Sequence, residues 1–174
     1  MNDESLSEKK ILWPRKIYNS EWGIGEWTNE TDYLEFSHKG VRCQIMRNSL
    51  GILCGYIHLD SDHPWYGKEY GSIDADVHGG LTFSEMRRDS VYVFGFDCAH
   101  SGDVTPACQV ALEASRKELS ERMPHLKKIL EEHELIPCSY KNIDYVTQEC
   151  MRLADQALAV LDAAKPFSED SKSD

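Results

Sequence analysis

The apolar residues of this chain change period once, and that change decides most of what it can fold into. From Tyr33 the pattern has period two, with Leu34 and Phe36 on one face and Val41, Cys43 and Ile45 following a tight turn through Lys39-Gly40. Such alternation marks half-buried strands, because successive side chains point to opposite sides of a pleated backbone. Asn48-Ser49-Leu50-Gly51 makes a second turn before a third strand from Ile52 to Leu59. The three strands are predicted to form an antiparallel meander. Two more follow: a short one from Gly80 to Glu85, and the most apolar segment of the chain, Val91 to Phe96, which reads as a central strand.

Beyond residue 104 the period is helical. Thr105-Pro106 offers an N-cap and an N1 proline for a helix to about Arg122, with Cys108, Leu112, Ser115 and Leu119 at helical spacing. A shorter helix is predicted from Pro124 to before Pro137. The strongest stripe is the last: Ile143, Val146, Cys150, Leu153, Ala157 and Leu161 keep 3–4 spacing behind an Asn142 cap. This helix, to about Ala164, should bury its stripe on the sheet and show Glu149, Arg152 and Asp155 to solvent. The predicted architecture is α+β, an antiparallel sheet of about five strands with C-terminal helices packed on one face.

The 174 residues suit one domain, spanning 11–165. Residues 1–10 and the acidic, Ser-containing stretch 166–174 read as disordered tails. Three tryptophans with Pro14, Gly23 and Gly25 predict an irregular aromatic segment from Trp13 to Trp27. No run approaches the roughly 18–20 apolar residues of a membrane span, and the N-terminus has no leader-like pattern, so a soluble, cytoplasmic protein is expected. Thirty acidic against 19 basic side chains give a formal charge of −11. That field repels a nucleic-acid polymer, yet a few local cations and N–H groups can still hold one small anion. The six cysteines form no C-x-x-C pair and are read as reduced, with Cys43, Cys108 and Cys150 on the apolar stripes as small core residues.

The polar groups that draw notice cluster in sequence around strand ends: His58, Asp60, Asp62 and His63; Asp74, Asp76 and His78; Asp97, Cys98, His100 and Asp103. Asp97-Cys98-Ala99-His100 carries the most weight, since a rigid apolar strand runs straight into it. Its plain reading is a strand-end turn in which Asp97 accepts backbone N–H groups. The functional reading gathers His58, His78, Asp97 and His100 around one cavity. Three chemistries suit the set: a divalent metal that activates water, metal-free acid–base work by a histidine pair oriented by Asp97, or a Cys98 nucleophile with a histidine base. No strong metal motif such as H-E-x-x-H is present. The long polar loop from Asp60 to Asp76 holds Trp65, Tyr66 and Lys68, the parts of a closing lid that stacks a planar ring and meets a phosphate. Its plain alternative buries Trp65 and leaves Lys68 in water. Gly79-Gly80 allows close backbone approach, although a Gly-Gly pair is often just a turn.

These segments, His63-Pro64-Trp65-Tyr66-Gly67-Lys68, Asp76-Val77-His78-Gly79-Gly80-Leu81-Thr82-Phe83, Gly95-Phe96-Asp97-Cys98-Ala99-His100-Ser101-Gly102-Asp103 and Tyr140-Lys141-Asn142-Ile143-Asp144-Tyr145-Val146, resemble a family of small proteins encoded by bacteriophages and prophages. The resemblance runs from about Gly51 to Leu158. It implies a host bacterial cytoplasm and an accessory role against the host, where proteins of this kind cleave or sequester nucleotide second messengers. The expected function is recognition, with hydrolysis, of a small phosphorylated nucleotide-like ligand at His58, His78, Asp97 and His100. Trp65, Tyr66, Lys68 and Asp103 are the expected ligand contacts, with a divalent metal as candidate cofactor. The alternative is a non-catalytic module that sequesters a ligand or blocks a host protein.

Overall fold

The computed structural model describes residues 11–13, 22–126, 128 and 138–165. The two predicted tails, part of the aromatic segment and nearly all of the helix predicted from Pro124 to Pro137 lie outside them. Five antiparallel strands, β2 (Tyr33–His38), β3 (Val41–Arg47), β4 (Leu53–Leu59), β5 (Phe83–Met86) and β6 (Tyr92–Asp97), form the sheet. A short edge strand β1 (Ile11–Trp13) extends it, and the order is β1-β2-β3-β4-β6-β5. The meander β2-β3-β4 follows from its turns. Lys39 and Gly40 both take positive φ, as does Gly51 closing the Asn48 turn, where Asn48 Oδ1 accepts the N–H groups of Leu50 and Ile52. A separate two-residue parallel ribbon joins β7 (Asp103–Val104) to β8 (Ser139–Tyr140).

Helix α1 (Pro106–Arg122) starts at Thr105, whose hydroxyl accepts the Cys108 N–H. Helix α2 (Ile143–Ala164) starts at Asn142, whose side chain accepts the Tyr145 N–H. The α2 stripe Val146, Cys150, Leu153, Ala154 and Ala157 is fully buried against β3 and β4. Burying a side chain such as Leu153 stabilises the fold by about 1.5–3 kcal/mol. Gly55 on β4 makes the approach feasible, since a Cβ there would stand 2.6 Å from the Cys150 sulfur. Three expectations need correction. Glu149 is buried, not on the wet face. Helix α1 buries only Pro106 among the described residues. Its stripe, Cys108, Leu112 and Leu119, is exposed, because one apolar residue per turn is too narrow a face to dock.

The two faces of the sheet differ. Leu34, Phe36, Val41, Cys43, Ile45, Leu53, Ile57, Phe94 and Phe96 line the core beneath α2 and the loop 60–82. The opposite face carries Glu35, Arg42, Gln44, Tyr56 and His58, with Tyr56 edge-on to Phe83 at 5.6 Å. No described helix is long and apolar enough to cross a membrane.

Candidate functional site

Two glycine turns bring the site together. In Val77-His78-Gly79-Gly80, the Gly80 N–H bonds to the Val77 carbonyl, and Gly79 takes φ +65°. In His100-Ser101-Gly102-Asp103, the Asp103 N–H bonds to the His100 carbonyl, and Gly102 takes φ +91°. Each turn needs a left-handed residue, which glycine accepts without a Cβ penalty. Gly79 has a second reason: a Cβ there would fall 2.1 Å from the His100 ring, so only glycine lets the two turns touch.

Helix α2 fixes the first turn. Tyr145, Glu149, Arg152 and Gln156 recur at i, i+4, i+7 and i+11, one polar stripe along the helix. Gln156 exchanges two hydrogen bonds with the Asp76 backbone, each 2.8 Å. Glu149 Oε2 accepts the His78 N–H at 2.7 Å and is itself held by Arg152 at 2.7 Å, which is why it is buried. The Tyr145 hydroxyl bonds to His78 Nδ1 at 3.0 Å. Burial, with Glu149 beside it, pushes the Tyr145 hydroxyl up, so it stays protonated.

Asp103 is the centre of the arrangement. Its side chain is only 3% exposed, and Oδ2 receives both His78 Nε2 at 2.8 Å and the His100 N–H at 2.9 Å. The His100 ring stands edge-on to His78 at 5.4 Å, with Nδ1 3.7 Å from Asp103 Oδ2, beyond hydrogen-bond reach. That nitrogen is buried and has no partner, although the ring is a third exposed. Lys141 Nζ lies 3.8 Å from Asp103 Oδ1 and 5.3 Å above the Tyr145 ring, the one cation beside this carboxylate among the described residues. One ligand atom each from His78, His100 and Asp103 lies within 4.8 Å of the others, spacing that a divalent ion can use. A cleft of about 280 Å³ has Asp103 of the three in its wall, with Val104, Cys108, Leu112, Arg116 and Cys138 around it.

His78, His100 and Asp103 are therefore brought together, and the other expected residues are elsewhere. His58 sits on the opposite sheet face, its Nε2 bonded to Gln44 Oε1 at 3.0 Å. Burial, helped by Arg42, lowers its pKa to about 4. Asp97 takes its plain role, accepting the Thr82 hydroxyl at 2.8 Å and the Ala99 N–H at 3.1 Å. Trp65 is core, edge-on to Phe94, and its backbone N–H donates to His63 Nδ1, while His63 Nε2 donates to the Ala157 carbonyl. Tyr66 bonds the Ser90 carbonyl and leans on Tyr92. Lys68 is exposed. No lid forms from these three, because the phenyl ring of Phe94 offers Trp65 a dry partner. Cys98 is buried, and burial followed by Asp103 pushes its thiol well up, which removes a thiolate nucleophile.

Tyr145, Glu149 and Lys141 carry site geometry that the sequence reading missed; the i, i+4, i+7 stripe of polar residues on α2 was the signal for the first two, and Lys141, ahead of the helix, had none. The arrangement offers an oriented imidazole, a second imidazole with an unused nitrogen, a shared carboxylate and a nearby ammonium, which together suit proton transfer or cation binding. Compared with known proteins, the chain matches no family model, no curated protein and no solved structure.

Proposed function

We propose that the protein recognises a small phosphorylated, nucleotide-like ligand and hydrolyses it at His78, His100 and Asp103. One observation carries the reading. A nearly solvent-free carboxylate is shared by two histidines from separate loops, and one of those rings keeps an unpartnered nitrogen while a third of it faces solvent. Stability alone favours complete pairing of buried polar groups, so incomplete pairing beside an accessible ring points to a reaction partner.

Both ring nitrogens of His78 are engaged, so it positions Asp103 and Tyr145. His100 is the ring that meets the reactants. It takes a proton from water as the water oxygen bonds to phosphorus; the ester P–O bond breaks, and the leaving oxygen gains its proton from solvent. Lys141 offsets the charge that gathers on the phosphoryl oxygens. The cleft beside Asp103, close to the lower end of small-molecule sites, sets apolar Val104 and Leu112 near the Arg116 cation, room for a base or sugar. The phage resemblance makes a host-defence second messenger the ligand to try first.

Incubating the purified protein with cyclic and linear nucleotides, reading both binding and product, tests this. Turnover is expected, with His100→Gln lowering kcat far more than binding, because acid–base groups act chiefly on the transition state. Ligand recovered intact at fixed stoichiometry would replace hydrolysis by sequestration. No nucleotide bound, with a host protein co-purifying, would overturn both.

A further inference from the structure

We infer that His78, His100 and Asp103 form a binding site for a divalent first-row transition-metal ion of the Zn²⁺ type, with at least one coordination position that the three side chains leave unfilled. The inference deepens the hydrolase reading: it rests on that reading for the use made of the ion, not for the binding itself, and with an ion on Nδ1 the His100 ring serves as a ligand in place of a base.

The donor set is two imidazoles and one carboxylate, without sulfur, which suits Zn²⁺ and its neighbours over soft cuprous or hard alkaline-earth ions. Metal–ligand bonds of about 2.0–2.2 Å place tetrahedral ligands roughly 3.3–3.6 Å apart. His100 Nδ1 already stands 3.7 Å from Asp103 Oδ2, too far for a hydrogen bond and near the spacing of two ligands on one ion. The 2.8 Å contact of His78 Nε2 with the same oxygen is a hydrogen bond, which a small rotation of the carboxylate opens. All three donors share a 4.8 Å sphere. Three protein ligands make the open type of site, which leaves a fourth position for a water or substrate atom.

His100 gives the independent observation. Its Nδ1 is buried without a partner, although the backbone N–H of the same residue is anchored on Asp103 and its ring is pressed against Gly79. A nitrogen fixed so firmly and left unbonded is what a metal ligand looks like before the ion arrives. The outer contacts agree. His78 uses Nδ1 to bond the Tyr145 hydroxyl, the orienting contact that metal-bound histidines make through their second nitrogen. When an ion takes Nε2, the ring proton moves to Nδ1 and is donated to the Tyr145 oxygen; that hydroxyl, which had donated to Nδ1, turns its own proton to solvent. No proton need leave the site. The chain's formal charge of −11 favours a cation at this position.

The test is direct binding of Co²⁺ and Zn²⁺ to the full-length protein after chelator treatment, followed by calorimetry and by the visible spectrum of the Co²⁺ form. One equivalent is expected, with a spectrum of nitrogen and oxygen ligation. His100→Gln and Asp103→Asn should each weaken binding at least 100-fold, and Tyr145→Phe about 10-fold, the size of outer-contact effects. His58→Gln, on the far face of the sheet, should bind as wild type. Circular dichroism identifies any variant that fails to fold, and Tyr145→Phe, which removes a single hydroxyl, keeps the test decisive if Asp103→Asn is lost. Absence of stoichiometric binding by the folded wild type overturns the inference. So do binding that His100→Gln leaves unchanged and a thiolate charge-transfer band that places the ion on cysteines. Nucleotide turnover in excess chelator would fell the catalytic use of the ion and leave the hydrolase standing; tight metal binding without turnover of any nucleotide would fell the hydrolase and leave the metal site.

Discussion

The ribbon of β7 and β8 separates two buried polar clusters that obey opposite rules. On β8, Tyr140 belongs to the cluster around Arg47, whose side chain is fully buried. Its Nε donates to Asp32, one terminal nitrogen to the Gly51 carbonyl and the Tyr140 oxygen, and the other to Glu30, at 2.7–3.1 Å. Glu30 in turn accepts the first N–H of α2, from Ile143, so the cluster ties the loop before β2 to the helix. On β7, Asp103 is almost as deeply buried, yet its neighbour His100 keeps a bare nitrogen and its nearest cation stands 3.8 Å away. Depth is the same in both; completeness differs. A closed network specifies a fold, whereas a network closed on all sides but one keeps capacity for a partner from solution.

The comparison breaks most visibly at Arg47. Arg47→Met leaves the carboxylates of Glu30 and Asp32 without their guanidinium, and losing one member of a buried ion cluster costs about 3–5 kcal/mol. Urea unfolding should register that loss, and Arg47→Lys should restore little of it, since one ammonium cannot replace a forked set of donors. A cost under about 1 kcal/mol would mean that the two clusters are alike after all.

His58 sharpens the rule, because its Nδ1 is also buried without a partner, yet it belongs to no group of three metal-ligating side chains among the described residues. Its consequence is a pH effect. Folded His58 has a pKa near 4, below its ordinary 6.5, so from pH 6.5 down to 4 the unfolded chain binds a proton that the folded chain refuses. Stability therefore falls as the pH drops through that window, and His58 adds nothing above it. With about 1.4 kcal/mol per pKa unit, discounted for partial exposure, the loss is about 2 kcal/mol. Unfolding curves at pH 7 and pH 4.5 should converge for His58→Gln relative to wild type; parallel losses in both proteins would contradict the assignment.

Gly79 and Gly80 separate backbone strain from site damage. Both take positive φ, so alanine at either costs about 1–2 kcal/mol. Only at Gly79 does the new Cβ meet the His100 ring; at Gly80 it meets nothing within 4 Å. Thermal melts should show the larger loss in Gly79→Ala, which adds a clash to the strain, and nucleotide turnover and Co²⁺ binding should vanish in that variant alone. Equal activity in the two variants would detach His100 from the site.

What the chain reveals before folding divides along the same line. Strands and helix starts were legible because their signals are local: alternation from Leu34 to Ile45, the Asn142 cap, Thr105 ahead of Pro106. His78, His100 and Asp103 were legible as polar residues in glycine turns next to apolar strands. Partnership was not, because it depends on which turn lies on which helix. Glu149 has the helical phase of a wet residue and became buried only when the His78 turn settled on it. Trp65 beside Lys68 reads equally as a lid or as core, and Phe94 decides between them. His58 and Asp97 share the composition of a site, and the two-residue period of β4 sends His58 to the wrong face.

The smallest stability effect belongs to the most functional residue. His100→Gln removes a ring whose Nδ1 has no partner to lose and whose third of exposed surface was already hydrated, while the backbone N–H bond to Asp103 survives the change. The ring contact with His78 is edge-on, of a kind that contributes about 0.5–1.5 kcal/mol between aromatic groups, and relief of the bare nitrogen offsets much of that. The net shift should stay within about 0.5 kcal/mol, the range of ordinary surface substitutions. Chemical denaturation in a metal-free buffer is the appropriate measurement, since a bound ion would add its own stabilisation to the wild type only. Repeating it with saturating Zn²⁺ should open a gap between the proteins, as the wild type gains stability that the variant cannot. A large loss for His100→Gln in metal-free buffer would instead make His100 a structural residue like Arg47, and the distinction between the two clusters would disappear.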